Sequence, residues 1–433
     1  MSEKKQIFPV RHGLHGEVNI PGDKSVSHRS VIFSALANTP VRITNFLQAQ
    51  DCLSTVSCMR QLGAAIDIQA DGALLVVGNG LHGLQEPAGI LDAGDSGTLL
   101  RLLLGLLAPQ PFLATFTGDA SLSRRPMGRV IEPLTQMGAH IVGRDGNRLL
   151  PITVLPAQQA LHGITYKMPV ASAQVKSALL LAGMYAKGET TILEPYASRD
   201  HTERMLAAFG VPLKQAAGGI TIQPVENLCA PEVIDVPGDI SSAAYWLVAA
   251  SVIEGSDVVL KNVGVNPTRT GILDVLRAMG ADLQCMNERV SGGEPMADIR
   301  VRSAKLHGVS IGAEIMPRLI DEIPIIAVAA MFASGTTTIT GAGELRVKET
   351  DRLQAIIDQY TKLAPCIEGQ ADGLVIYGPA VFSDASCFSY DDHRIAMSLA
   401  IAGAAGQGVT IDNAACVNIS YPEFYTTLHS LTN

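Results

Sequence analysis

The sequence predicts an α/β fold of two pseudo-threefold domains, each made of three βαβαββ units around buried helices, an inside-out α/β barrel with six internal repeats. Three observations lead there. Six segments begin at a small or polar cap and run on as strongly apolar helices: GDKSVSHRSVIFSALA, GDSGTLLRLLLGLLA, MPVASAQVKSALLLAGMYA, PGDISSAAYWLVAASV, RLIDEIPIIAVAAMFASG and YDDHRIAMSLAIAGAA. They start near Gly22, Gly94, Met168, Pro237, Arg318 and Tyr390, a spacing of roughly 70 to 80 residues, longer than a solenoid unit. Strand-forming runs such as TPVRITNF, ETTILEPY, SDVVLKNV and TTTITGA follow them, then a more amphipathic helix.

In chain order, HGEVNIP reads as a strand that precedes the first complete repeat and belongs to the second domain. The first repeat opens with Lys24 and Arg29 at its helix start, and its second helix ends at MRQLGAAI, where glycine suits a helix C-terminus. The second repeat opens at DAGDSGT, where Gly97 would let a ligand approach the backbone or would simply make a turn. It continues with Arg124 and Arg125 in SLSRRPMG and stops at LTQMGAHI. The third carries ASAQVKS and then Arg199 in YASRDHTE; the fourth ends its second helix at LRAMGADL. The fifth contains IDE and then Arg346, Lys348 and Arg352 in ELRVKETDRL; the sixth starts at DDHR with Arg394. Six copies divide into three plus three, giving a first domain over 22–235 and a second over 1–21 plus 236–433, with the active site expected in the cleft between them.

A chain of 433 residues suits two domains of about 200 residues each. It is 47% hydrophobic and 17% charged, which excludes a disordered chain. No uncharged apolar run approaches the ~18 residues of a membrane span. The opening MSEKKQIFPVRHG has no apolar signal core, so a cytoplasmic address is expected. A net charge of −9 and 5% aromatics argue against a general nucleic-acid binder. The seven cysteines form no CxxC pair and are expected to be buried small hydrophobes.

The chemistry concentrates at helix starts, where unpaired N–H groups and the positive dipole end bind phosphate or carboxylate. A cation in a first helical turn is mildly unfavourable, and here cations recur at such places in both halves. Any one arginine read alone is a solvated or salt-bridged residue: Asp392 could pair with Arg394, and Asp351 with Arg352. Recurrence across repeats argues instead for an anionic ligand. The carboxylates Asp51, Asp239, Asp321, Glu322, Glu349 and Asp392 lie among the cations, without a metal-binding motif, which suits proton transfer on a polyanion. His28 and His393 read as structural support. There is no GxGxxG after a strand, no GxxxxGK[ST] and no Ser-His-Asp elbow.

Taken together, GDKSVSHR, DSGT, SLSRRPMG, ASAQVKS, SRDHTE, IDE, RVKETDRL and DDHR, in this order and over nearly the whole chain, resemble the enolpyruvyl transferase family in its shikimate branch. The resemblance implies two domains joined by two crossover strands and closing on substrate. It implies transfer of the enolpyruvyl group of phosphoenolpyruvate to the 5-hydroxyl of shikimate 3-phosphate with release of phosphate, on the route to chorismate and the aromatic amino acids. No cofactor or metal is implied. By the same resemblance Lys24, Ser25, Arg29, Ser172, Ala173, Gln174, Arg199, Asp321 and Lys348 bind shikimate 3-phosphate. Lys24, Gly97, Arg125, Arg352 and Arg394 bind phosphoenolpyruvate. Lys24, Asp321 and Glu349 are catalytic, Asp321 as proton acceptor and Glu349 as proton donor to C3. Glyphosate is an expected inhibitor and a monomer the expected state.

The chain departs from the family where many members have Asn at Asp95, some have Pro at Leu102, and many carry a Lys near Asn418 or Ile419. The sister enzymes acting on UDP-N-acetylglucosamine normally have a cysteine in the loop occupied here by GDASLSRRPMG, which has none. A non-catalytic sensor on this fold would lack Lys24, Asp321, Glu349 or Arg394, and all four are present.

Overall fold

A helix that is apolar on every side is stable only when surrounded by protein. The computed structural model, which describes residues 3–216 and 218–432, shows six largely buried helices, of which Lys24–Ala35 is buried although half polar: Lys24–Ala35, Gly97–Leu107, Ala173–Gly183, Ile240–Val252, Ile323–Phe332 and His393–Ala405. Every residue from Ile240 to Ser251 is buried. Asp23, Ser96, Ser172, Asp239 and Asp392 cap their helices by accepting the N–H of Val26, Leu99, Val175, Ser241 and Arg394. The helix Ile323–Phe332 starts instead on Pro324, after a 3-10 turn over Ile320–Glu322. The second helices of the repeats stop at Gly63, Gly138 and Gly280, whose φ angles of 101°, 102° and 91° lie where side chains are strained.

The chain divides into two compact units, each with its own core. One is Gly22–Pro237 together with Val290–Glu294; the other holds the residues up to Pro21, Gly238–Arg289 and the chain from Pro295 onward. In the first unit each repeat builds a four-stranded sheet on one plan: a parallel pair, then two antiparallel strands. The second repeat runs Leu91–Asp92, Ala114–Thr117, Leu149–Val154 and Ile141–Gly143 across its sheet. The third runs Thr165–Lys167, Thr190–Leu193, Gly219–Ile222 and Leu213–Ala216. At the contact of the helices Gly97–Leu107 and Ala173–Gly183, a methyl group on Gly105 would lie 2.2 Å from the carbonyl oxygen of Ala178. Only glycine allows that approach.

Two repeats take their leading strand from elsewhere. His15–Asn19 comes just before the helix Lys24–Ala35, yet it pairs in parallel with Asp257–Gly264 of the fourth repeat. Val233–Asp235 comes just before the helix Ile240–Val252, yet it pairs in parallel with Val41–Thr44 of the first. The division therefore falls beside Pro21 and Pro237. Val290–Glu294 joins the first unit through Ser291, whose hydroxyl accepts the N–H of Asp235 at 2.9 Å, and through Glu294, 2.8 Å from His201.

The βαβαββ expectation holds for five repeats, and the sixth departs from it. After Val409–Asp412 the chain makes a 3-10 turn over Ala414–Ile419 and a helix over Phe424–Leu431 instead of two further strands. The vacant antiparallel place beside Val409–Asp412 is taken by Lys5–Ile7. CVNISYPEF has no strand alternation and acts as a wedge: Tyr421 accepts a hydrogen bond from Trp246 Nε1 at 3.1 Å, and Phe424 stacks on the Trp246 ring at 5.0 Å.

Burial of all the cysteines is corrected by the structure. Cys52, Cys58, Cys387 and Cys416 are buried, Cys285 and Cys366 half-buried, and Cys229 exposed. Cys229 lies in a loop anchored by its backbone N–H to Phe209 O, which leaves the side chain outside. Burial pushes the Cys58 thiol up to about 12. Among the described residues no helix is long and apolar enough to cross a membrane.

Candidate active site

In the unit Gly22–Pro237, Asp23 caps the first helix and puts Lys24 and Ser25 in its first turn. Lys24 Nζ lies 3.0 Å from Asp51 Oδ2, on the second helix of the same repeat. Arg29, one turn on, is 2% exposed. Its Nε donates to Thr202 Oγ1 at 2.7 Å, its Nη2 to Ser177 Oγ at 2.9 Å and its Nη1 to Ser25 O at 2.9 Å. The guanidinium thus ties three helices together. Burial lowers its pKa to about 10, with Arg199 adding to the effect, which puts Arg199 in the same electrostatic neighbourhood.

His28 plays the structural part expected of it. Its ring nitrogens meet Thr55 Oγ1 at 2.6 Å and Ser96 Oγ at 3.3 Å, and Ser96 caps the next repeat's helix. Burial drives its pKa down to about 3 against the pull of Asp51, so the ring is neutral.

Gly97 opens that helix beneath two arginines. A methyl group on it would stand 2.5 Å from Arg101 Nη1 and 3.6 Å from Arg125 Nη1. Arg101 Nη1 donates to Gly97 O at 3.1 Å, and Arg125 Nη2 lies 3.2 Å from Asp95 Oδ1. Burial lowers the Arg101 pKa to about 10, and Arg125 and Arg129 push the same way. Cations so placed at a helix start make an anion seat. In the third repeat Ser172 Oγ caps the helix, Ala173 is its first residue, and Gln174 Nε2 donates to Thr98 Oγ1 at 2.8 Å. Gln174 Oε1 is buried and accepts no hydrogen bond among the described residues. Leu102 faces the core and is fully buried.

In the other unit the predicted residues of the fifth and sixth repeats converge. Asp351 caps the helix Arg352–Leu363, and Arg352 is buried in its first turn. Arg352 Nε donates to Asp392 Oδ2 at 2.8 Å, Nη2 to Glu349 Oε2 at 2.7 Å and Nη1 to Asp321 Oδ1 at 3.5 Å. Lys348 Nζ lies 3.5 Å from the same oxygen of Asp321. Arg394 Nη1 donates to Asp321 O at 3.2 Å and lies 3.9 Å from Glu322 Oε1. Burial opposes the charge of both arginines, but the surrounding carboxylates outweigh it and raise their pKa values. The local pairings considered from sequence resolve differently: Asp392 accepts the backbone N–H of Arg394 while its carboxylate holds Arg352, and Asp351 pairs with Arg346 at 2.9 Å.

Not every helix-start cation joins these groups. Arg124 is exposed, and Arg346 bonds the carbonyls of Gln370 and Ala371. Two charges had no role in the sequence reading. Lys176 is 2% exposed, 2.7 Å from Glu194 and 2.6 Å from Glu203. Arg269 lies 3.2 Å from Asp239 and donates to Ser241 Oγ, which in turn bonds Glu322. Arg269 stands two residues before the helix Gly271–Ala278, as Arg199 stands two before His201–Ala208. That shared offset is the signal that could have found it.

Comparisons with known proteins identify the family. The family model described as EPSP synthase (3-phosphoshikimate 1-carboxyvinyltransferase) matches residues 10–428. The chain is 53% identical to the 3-phosphoshikimate 1-carboxyvinyltransferase of Desulforudis audaxviator, over 98% of this chain and 99% of that one. It is 49% identical to the Bacillus cereus (strain 03BB102) protein of the same name, over 99% and 100%. Among solved structures, the EPSP synthase from Acinetobacter baumannii superposes with a TM-score of 0.91 at 43% identity, covering 100% of this chain and 98% of that one. The enolpyruvyl transferase NikO from Streptomyces tendae, at 20% identity and a TM-score of 0.78, shares the fold.

Proposed function

The chain belongs to the EPSP synthase family, the 3-phosphoshikimate 1-carboxyvinyltransferases, and from that premise we propose which of its residues carry the reaction. The reaction itself follows from the family: the enolpyruvyl group of phosphoenolpyruvate moves to the 5-hydroxyl of shikimate 3-phosphate, and phosphate leaves, in the shikimate pathway to aromatic amino acid precursors.

In this reading Asp321 takes the proton of the 5-hydroxyl as its oxygen bonds to C2 of phosphoenolpyruvate, and Glu349 delivers a proton to C3. The adduct then loses phosphate from C2, the departing oxygen taking up the proton that Asp321 had accepted, and C3 returns its proton to Glu349 as the double bond re-forms. Arg352, Arg394, Arg125 and Lys24, with the helix start at Gly97, receive the phosphoenolpyruvate anion. Lys24, Ser25, Arg29, Ser172, Ala173, Gln174, Arg199, Asp321 and Lys348 receive shikimate 3-phosphate. The observation that carries the reading is the meeting of Asp321, Lys348, Glu349, Arg352 and Arg394, two acids held against three cations. The same reading takes the protein as a cytoplasmic monomer, with glyphosate competing for the phosphoenolpyruvate place.

A phosphate-release assay tests it. Release should require both phosphoenolpyruvate and shikimate 3-phosphate, and UDP-N-acetylglucosamine should not replace the latter. Release with the nucleotide sugar, or none with either acceptor, overturns the reading.

A further inference from the structure

Asp95 is a carboxylate standing in an anion seat. It precedes Ser96, the cap of the helix Gly97–Leu107, and its Oδ1 lies 3.2 Å from Arg125 Nη2. That oxygen is buried and receives no aligned hydrogen bond among the described residues, while Arg125 Nη2 donates to Ser121 Oγ, 3.3 Å away. The contact is therefore charge against charge without the fork geometry that makes an arginine pair tight. Arg125 also presents Nη1 towards Gly97, beside Arg101.

We propose that Asp95 is an exchangeable counter-ion of Arg125, and that phosphoenolpyruvate, on taking Arg125, makes Asp95 bind a proton. The proposal rests on the reading above that Arg125 and Gly97 receive phosphoenolpyruvate. An incoming anion adds negative charge beside a carboxylate and removes its share of the guanidinium, and both effects favour the neutral acid.

The surroundings already lean that way. Burial holds Asp95 above the usual carboxylate range, Arg125 opposes this, Asp119 and Asp51 reinforce it, and a hydrogen bond from Ser121 offsets part of it. The other charged groups around it have contacts of their own. Lys24 is paired with Asp51, Arg101 bonds Gly97 O, and His28 behind Ser96 is neutral. Arg129 bears on Arg101.

By linkage, a group that takes up a proton on binding weakens that binding as pH rises through its free-state pKa. The test is the KM for phosphoenolpyruvate from pH 5 to 8.5, at saturating shikimate 3-phosphate, in the parent and in Asp95→Asn. The ratio of parent to variant KM cancels the ligand's own titration. It should climb with pH by up to about tenfold per unit while Asp95 ionises, the limit for one proton, and then level off. Asp95→Ser should give the same climb. A pH-independent ratio, with the parent active, overturns the linkage and leaves the functional reading standing. Loss of turnover in both variants at every pH also overturns it, since the uncharged side chain must serve. A parent without turnover would overturn the functional reading, and the linkage with it.

Discussion

Arg352 and Asp392, 40 residues apart in sequence, form a pair sealed from solvent: Nε meets Oδ2 at 2.8 Å, with 1% and 0% of the two side chains exposed. Asp392 also caps the last apolar helix. Removing one partner of a buried pair costs about 3–5 kcal/mol when the charge left behind is uncompensated, but Arg352 without Asp392 would still face Glu349 at 2.7 Å and Asp321 at 3.5 Å. Asp392→Asn should therefore lower the unfolding free energy by about 3 kcal/mol, the lower end of that range. Exposed pairs such as Arg302–Asp282, near half exposure on both sides, should cost under about 1 kcal/mol. Urea unfolding of the two variants checks the contrast, and equal losses would deny the buried pair its special weight.

Glu349 is held by the same guanidinium, at 2.7 Å, but keeps 27% of its side chain exposed. A proton donor to C3 needs that access. Glu349→Gln should retain shikimate 3-phosphate affinity within several-fold while turnover falls by roughly 10² or more, the usual worth of a general acid. Near-normal turnover would remove Glu349 from the proton path.

Gly97→Ala would force the Arg101 guanidinium aside, since the new methyl would stand 2.5 Å from its Nη1. The end of a flexible side chain can give way, so the protein should fold normally. Arg101 and Arg125 would then crowd the anion seat, at a cost of about 1–3 kcal/mol where there is no room to relax. The inhibition constant for glyphosate, the longer molecule, should rise by a larger factor than the KM for phosphoenolpyruvate. Steady-state inhibition of the parent and variant gives both numbers, and equal factors would count against Gly97 lining the tight end.

His28 gives the fold a pH dependence of known sign. Its pKa falls from 6.5 to about 3 on folding. Below about pH 6.5 the unfolded chain binds a proton that the native ring refuses, so stability is lost as pH falls from there towards 3. The slope approaches about 1.4 kcal/mol per pH unit. Between pH 7 and 5, where most carboxylates stay ionised, this amounts to about 2 kcal/mol. Urea unfolding at the two pH values should show that loss in the parent and a smaller one in His28→Gln.

Much of this molecule was legible before its structure because two signals repeat. Long apolar stretches marked most of the buried helices, and cations near helix starts drew attention to Lys24, Arg125, Arg352 and Arg394. What stayed hidden depends on partners distant in sequence. Arg29 read as an anion contact, and its bonds to Ser177 and Thr202 could not be seen because those residues lie 148 and 173 positions away. Lys176 sat inside an apolar run, and nothing local announces Glu194 and Glu203 as its partners. Lys5–Ile7 is three residues long, and its partner strand begins at Val409, so no period in the sequence could link the two.

The displaced leading strands bear on the order in which the chain can be completed during synthesis. Lys5–Ile7 and His15–Asn19 leave the ribosome before the strands they pair with, and they find their neighbours only when Val409–Asp412 and Asp257–Gly264 have been made. Gly22–Pro237 meets no such delay: its last strand, Val233–Asp235, closes onto Val41–Thr44 as soon as it emerges. Most of that unit can thus form early, completed later by Val290–Glu294, while Lys5–Ile7 waits, unpaired, for Val409–Asp412.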